Sequence, residues 1–202
     1  MRITAFGFIL IGFCFFIYSE LSYSTEQKGD DLNEVECNAQ IKRGDYLVNL
    51  GGCNDCHSPK IFTPEGPMPD PDRLLSGYPS KEKLPDIPKD VIGPDKWGGL
   101  VTNDLTAWVG PWGVTFASNL TPDEQTGIGL WTEELFIKTI RTGKRMGAGR
   151  DILPPMPWFG LSKLSDDDLK AIFAYLRTIK PIKNAVPAPI PPSELSPNKT
   201  GE

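Results

Sequence analysis

Apolar residues recur at helical spacing in three stretches of the chain. Over about 38–50, Ile41, Tyr46, Leu47 and Leu50 alternate with Lys42, Arg43, Asp45 and Asn49. Apolar positions three and four apart define one helical face. Gly44 inside that stretch costs a helix about 1 kcal/mol relative to Ala. A glycine there predicts that another element approaches closely. Gly51-Gly52 end the pattern. A second helix is predicted from Thr132 to about Thr142, with Leu135, Phe136 and Ile140 on its apolar face and Gly143 as its C-cap. Ser165 caps a third helix. Asp168 takes the reciprocal capping position, and three acids complement the dipole of the first turn. Its apolar face is Leu169, Ile172, Phe173 and Leu176, and it ends before Pro181.

The pattern fails between these stretches. Residues 58–95 hold nine prolines and no apolar period. They are expected to form a long ordered loop or a disordered insert, with Ile61-Phe62 and Leu74-Leu75 favouring partial packing. Residues 96–131 carry Trp97, Trp108, Trp112 and Trp131, and Val114-Thr115-Phe116 suits a short strand. Each indole N–H wants a partner. These rings either pack in the core against the loop or wall a cofactor site. Residues 144–164 are expected as loop around Pro154-Pro155-Met156-Pro157-Trp158. The tail from Pro181 on, with six prolines in 22 residues, should be extended and largely mobile.

The first 24 residues fit an export signal. Arg2 precedes an apolar run from Ala5 to Tyr18, short for a membrane span, and Ser22-Tyr23-Ser24 supplies small residues for cleavage. The alternative is an uncleaved N-terminal anchor. The expected organisation is a signal peptide over 1–24, a flexible lead-in over 25–36, a domain over 37–180 with a long insert at 58–110, and a proline-rich tail over 181–202. The net charge of −5, with no Lys/Arg-rich run, argues against a nucleic-acid partner. Twenty prolines and twenty glycines predict much irregular chain around few helices.

Candidate chemistry centres on Cys53-Asn54-Asp55-Cys56-His57. Positions i, i+3 and i+4 share one face of a helical turn. Both thiols can then reach the vinyl groups of a haem while the imidazole reaches its iron; the spacing is that of covalent c-type haem attachment. A thioredoxin-like motif needs a βαβ setting and has no use for the histidine. A structural zinc site needs four ligands, and only Cys37 could join these three. Cys37 is left over and is expected as a small buried thiol; the alternatives are a free thiol or one that pairs between molecules. Cys14 lies in the leader.

His57 is the single histidine, so a second iron ligand must come from methionine, lysine or a similar donor. Met68 lies in the proline-rich insert, and Met146 is followed by glycine and preceded by Lys144-Arg145. Met156 sits between Pro155 and Pro157, which restrict the backbone on both sides. That stiffness favours Met156 as the sixth ligand; the alternative is an ordinary core methionine.

The order of helix, haem motif, loop methionine and closing helix with Tyr175-Leu176 resembles the class I c-type cytochromes. In that family the first and last helices cross at a glycine and an aromatic residue, here matched by Gly44 and Tyr175. The stretch from Trp112 to Pro187 is similar to the haem domains of cytochrome subunits of bacterial periplasmic dehydrogenases. It matches at Asn119-Leu120-Thr121-Pro122-Asp123, Thr126-Gly127-Ile128-Gly129, Trp131, Arg141, Pro155-Met156-Pro157 and Tyr175-Leu176-Arg177. Those subunits often carry several haem motifs, whereas this chain has one.

The resemblance implies a mostly α, cytochrome c-like fold of three to five short helices around one haem, with a long proline-rich loop insert. It implies periplasmic electron transfer between a donor dehydrogenase and an acceptor cytochrome or oxidase. Membrane contact would come only through a partner or an uncleaved anchor. Ligation by His57 and Met156 closes the iron to substrates, which favours a carrier or subunit over a catalyst. The alternative is a haem peroxidase or sulfur-compound oxidoreductase with a labile sixth ligand.

Overall fold

Thr132 and Gly143 bracket a helix as their chemistry requires. In the computed structural model, which describes residues 34–88 and 90–195, the Thr132 side chain accepts from the backbone N–H of Leu135. Gly143 closes the helix Glu133–Thr142 (α3) in the left-handed conformation, φ 63°. Ser165 likewise accepts from Asp168 N–H at the start of Asp166–Thr178 (α5). The signal peptide expected over 1–24 lies outside the described residues.

The chain divides into two units between Gln40 and Ile41. The opening helix, α1, covers 34–50 and therefore begins earlier than its apolar pattern predicts. Its buried side is Gly44, Leu47 and Val48. Tyr46 and Leu50, expected on the apolar face, are exposed. A stripe at i, i+3 and i+4 is narrow, and these two residues fall off its edges.

The core joins α1, α3 and α5. Leu47 and Val48, Phe136 and Ile140, and Leu169, Ile172, Phe173 and Leu176 form one cluster, which also takes in Leu75 and Ile128. The rings of Phe136 and Phe173 lie 5.3 Å apart and tilted, an arrangement that contributes about 0.5–1.5 kcal/mol beyond burial. Gly44 is where α1 meets α5. A Cβ there would overlap the carbonyl of Ala171 and stand 2.7 Å from the Cβ of Tyr175. The crossing expected of Gly44 and Tyr175 is therefore present as a direct contact.

The expected helices are present in a small mixed domain, and the insert expected as loop also carries short strands. Among the described residues, strands Lys60–Thr63 (β1) and Gly66–Pro69 (β2) form an antiparallel hairpin, with Ile61 opposite Met68. Leu100–Val101 (β3), Ala107–Gly110 (β4) and Gly113–Phe116 (β5) form a three-stranded antiparallel sheet. Proline is compatible with a two-stranded ribbon, where every strand is an edge. That is why nine prolines hid a hairpin. The loop expected over 144–164 also contains a 3₁₀ turn at Arg145–Gly147 and a short helix, Trp158–Leu161 (α4).

The tail is extended, as its prolines dictate, but it is tied down. Val114 and Ile190 exchange backbone hydrogen bonds of 2.8 and 3.0 Å. Asn184 donates its side-chain amide to the carbonyls of Ser76 and Tyr78, at 2.7 and 2.8 Å. Asn119 donates to the carbonyl of Ile182 at 2.8 Å. A last short helix, Pro192–Leu195 (α6), follows.

Candidate haem-attachment site

Cys53–His57 forms a helix of its own, α2, entered through Gly52 in the left-handed conformation. The turn places Cys53, Cys56 and His57 on a common side. Both cysteines are free thiols of intermediate exposure. Burial pushes the Cys53 thiol up to about 11, with the neighbouring Cys56 adding to the effect. Burial likewise raises Cys56, helped by Asp55. Both therefore stay protonated and are poor thiolate ligands near neutral pH. Among the described residues, no three His, Cys, Asp or Glu side chains gather as metal donors.

His57 Nδ1 lies 2.8 Å from the backbone carbonyl of Ser118. A carbonyl can only accept, so Nδ1 carries the proton and Nε2 keeps its lone pair. Burial pulls the imidazole below its ordinary range; the Ser118 bond opposes this, and Lys60 adds to it. The ring is thus held neutral, the form that binds a metal, with one nitrogen left for it.

The proline-rich insert, whose role the sequence left open, returns to brace this turn. Ser58 is fully buried. Its hydroxyl donates to Asn54 Oδ1 at 2.7 Å and accepts from Leu75 N–H at 2.8 Å. Gly77 N–H donates to the His57 carbonyl at 2.7 Å. Lys60 closes the end of α2, donating to the carbonyl of Asp55 at 2.9 Å. None of these contacts is written in the motif.

Met156 is partly buried, while Met68 and Met146 are 51% and 52% exposed. Its loop is fastened to β5. The Thr115 hydroxyl donates to the carbonyl of Pro154 at 2.7 Å and accepts from the indole N–H of Trp112 at 3.3 Å. Thr115 lies in β5, and Ser118 follows two residues past its end. One segment thus holds His57 at one end and the methionine loop at the other.

The tryptophans divide. Trp112 spends its N–H on Thr115, Trp131 packs against the core, and Trp97 is 70% exposed. Cys37, expected as a buried thiol, is exposed. It lies in the first unit, ahead of the buried stripe of α1. The Asn119–Asp123 stretch is structural: Asn119 Oδ1 accepts from Thr121 N–H at 3.0 Å, and Asp123 Oδ1 from Thr126 N–H at 2.7 Å.

Taken together, the two-cysteine turn, the oriented histidine and the helix crossing have the features of a c-type cytochrome. Comparison with known proteins gives the more particular likeness. The chain is 31% identical over 145 residues to the cytochrome c subunit of alcohol dehydrogenase (quinone) from Gluconobacter oxydans. It is 30% identical over 148 residues to the cytochrome c subunit of gluconate 2-dehydrogenase from Pantoea cypripedii. It is 35% identical over 150 residues to a subunit of nicotinate dehydrogenase from Pseudomonas putida. These alignments take in 71%, 73% and 74% of this chain, but only 22%, 25% and 9% of the respective relatives. No family model matches the chain. The chain is homologous to cytochrome c subunits of bacterial dehydrogenases. Among the described residues, no helix is long and apolar enough to cross a membrane.

Proposed function

We propose that this chain is a single-haem electron-transfer protein that works with a dehydrogenase in the periplasm, as a carrier or as a cytochrome subunit. The observation that carries the proposal is the oriented His57, fixed by the Ser118 carbonyl beside two half-buried free thiols. The donor set suits a covalent haem. Thioether formation adds each S–H across a vinyl group, so it consumes thiols and leaves neutral sulfur in a site that disfavours charge. Cys53 and Cys56 would hold the haem, and His57 Nε2 would bind the iron. A bound haem supplies a one-electron ferric/ferrous couple.

The remaining residues position and exclude. Met156 would close the sixth position, which keeps substrates off the iron and leaves outer-sphere transfer as the reaction. Its half-buried place, the Thr115 brace and the exposure of Met68 and Met146 support that choice. The relatives named as dehydrogenase subunits support a dehydrogenase as electron donor; the acceptor would be a further cytochrome or an oxidase.

The test is haem staining of denaturing gels of the exported protein. The expected result is a stained band carrying one haem per chain, lost when Cys53→Ala and Cys56→Ala are combined. A stain that survives the double substitution overturns the proposal.

A further inference from the structure

Lys60 follows the haem motif by three residues and is only 8% exposed. Its ammonium donates to the carbonyls of Asp55 (2.9 Å) and Asn54 (3.3 Å), and to that of Ser58. Among the described residues no carboxylate pairs with it. The charged and titratable groups that face it at longer range are Asp104, Cys56, Asp55 and His57. Asp104 is itself engaged by the Thr106 hydroxyl.

A covered ammonium with neutral acceptors and no counter-charge loses hydration that carbonyl dipoles only partly return. Its placement accounts for that cost. Asn54 and Asp55 lie between the two cysteines, and Ser58 follows His57. These carbonyls belong to the C-terminal end of α2, where unsatisfied C=O groups gather partial negative charge. One cation secures all three and so fixes the end of the turn. His57 lies at this same end of α2, and the Lys60 charge acts on its imidazole. The burial of Lys60 weakens screening.

We infer that Lys60 is a positioning residue for the electron-transfer site, whose fixed positive charge stabilises the reduced state and raises the reduction potential. The inference rests on the haem assignment made above. Oxidation adds one positive charge to the iron. A neighbouring cation opposes that step and has no comparable effect on the reduced state.

The experiment is an optically followed redox titration of the haem-bearing protein and three variants. Lys60→Gln keeps a hydrogen-bond donor and removes the charge. At a fixed ambient potential its ferric-to-ferrous ratio is expected to rise about three- to tenfold, the upper end equal to a fall of about 59 mV in midpoint for a one-electron couple. Lys60→Arg keeps the charge and should stay near the wild-type midpoint. Lys60→Met removes the same charge with a side chain of similar length, so its midpoint should fall as far; this arm remains decisive if Lys60→Gln does not fold. An unchanged midpoint in Lys60→Gln, even with a lowered melting temperature, leaves only a structural role and overturns the inference. So does a Lys60→Arg midpoint that falls as far as that of Lys60→Gln. A wild-type protein with no covalent haem overturns the haem assignment and the inference together, whereas an unmoved midpoint in haem-bearing variants overturns the inference alone.

Discussion

Tyr175 closes directly over Gly44: a Cβ on the glycine would stand 2.7 Å from the Cβ of the tyrosine. The same Cβ would overlap the Ala171 carbonyl. Gly44→Val must therefore push α1 away from α5 or distort one of them. A loss of about 1–3 kcal/mol in stability is expected from overpacking, read as a lowered denaturation midpoint. An unchanged midpoint would refute the crossing.

Met156→Ala should open the sixth coordination position. The expected signs are loss of the long-wavelength sulfur-to-iron absorption band, a lowered midpoint potential and new binding of carbon monoxide to the reduced protein. Met146→Ala should leave all three unchanged. The opposite pattern in the two variants would move the ligand to Met146.

Thr115→Val keeps the shape of a buried side chain and removes its hydroxyl. The Pro154 carbonyl loses its donor and the Trp112 indole its acceptor. A cost of about 1–3 kcal/mol is expected for leaving such groups unpaired. Carbon monoxide should also bind the reduced variant faster than wild type, because the Met156 loop is released. Wild-type stability and binding rates together would show that Thr115 does not brace the loop.

The Arg43 guanidinium hydrogen-bonds Asp168 at 2.9 Å and holds that carboxyl below the usual carboxylate range. A carboxyl lowered by folding adds stability above its unfolded value, about 3.9. That contribution fades as pH falls through the folded value. Wild type should therefore exceed Asp168→Asn in stability at neutral pH, and the two should converge on acidification below about pH 4. Added salt should narrow the neutral-pH gap, since the pair is partly exposed. Parallel acid-unfolding curves would exclude the pair as a source of pH dependence.

The sequence by itself determined whatever depends on neighbours within one or two turns. Thr132, Gly143 and Ser165 act on backbone groups three or four residues away, so local chemistry alone made the ends of α3 and α5 legible. That Cys53, Cys56 and His57 share one side of a turn was legible for the same reason, because three side chains on one turn need no other part of the chain to face together. Gly44 was informative because it contradicts helix propensity, and a contradiction of that kind points to a close neighbour.

Only the tertiary structure decided how the site is held. The partner of His57 is a backbone carbonyl 61 positions away, at Ser118. Carbonyls are identical in every residue and leave no mark in a sequence. The prolines of the insert suppressed the alternation by which strands are recognised, although paired edge strands tolerate them. Asn184 looked like one polar residue in a mobile tail, yet it reaches Ser76 and Tyr78 across more than a hundred positions. Nothing in the sequence distinguishes Lys60 from the other lysines except its place three residues after the motif. Its worth to the turn appeared only once the chain had brought the carbonyls of Asn54, Asp55 and Ser58 within reach of one ammonium.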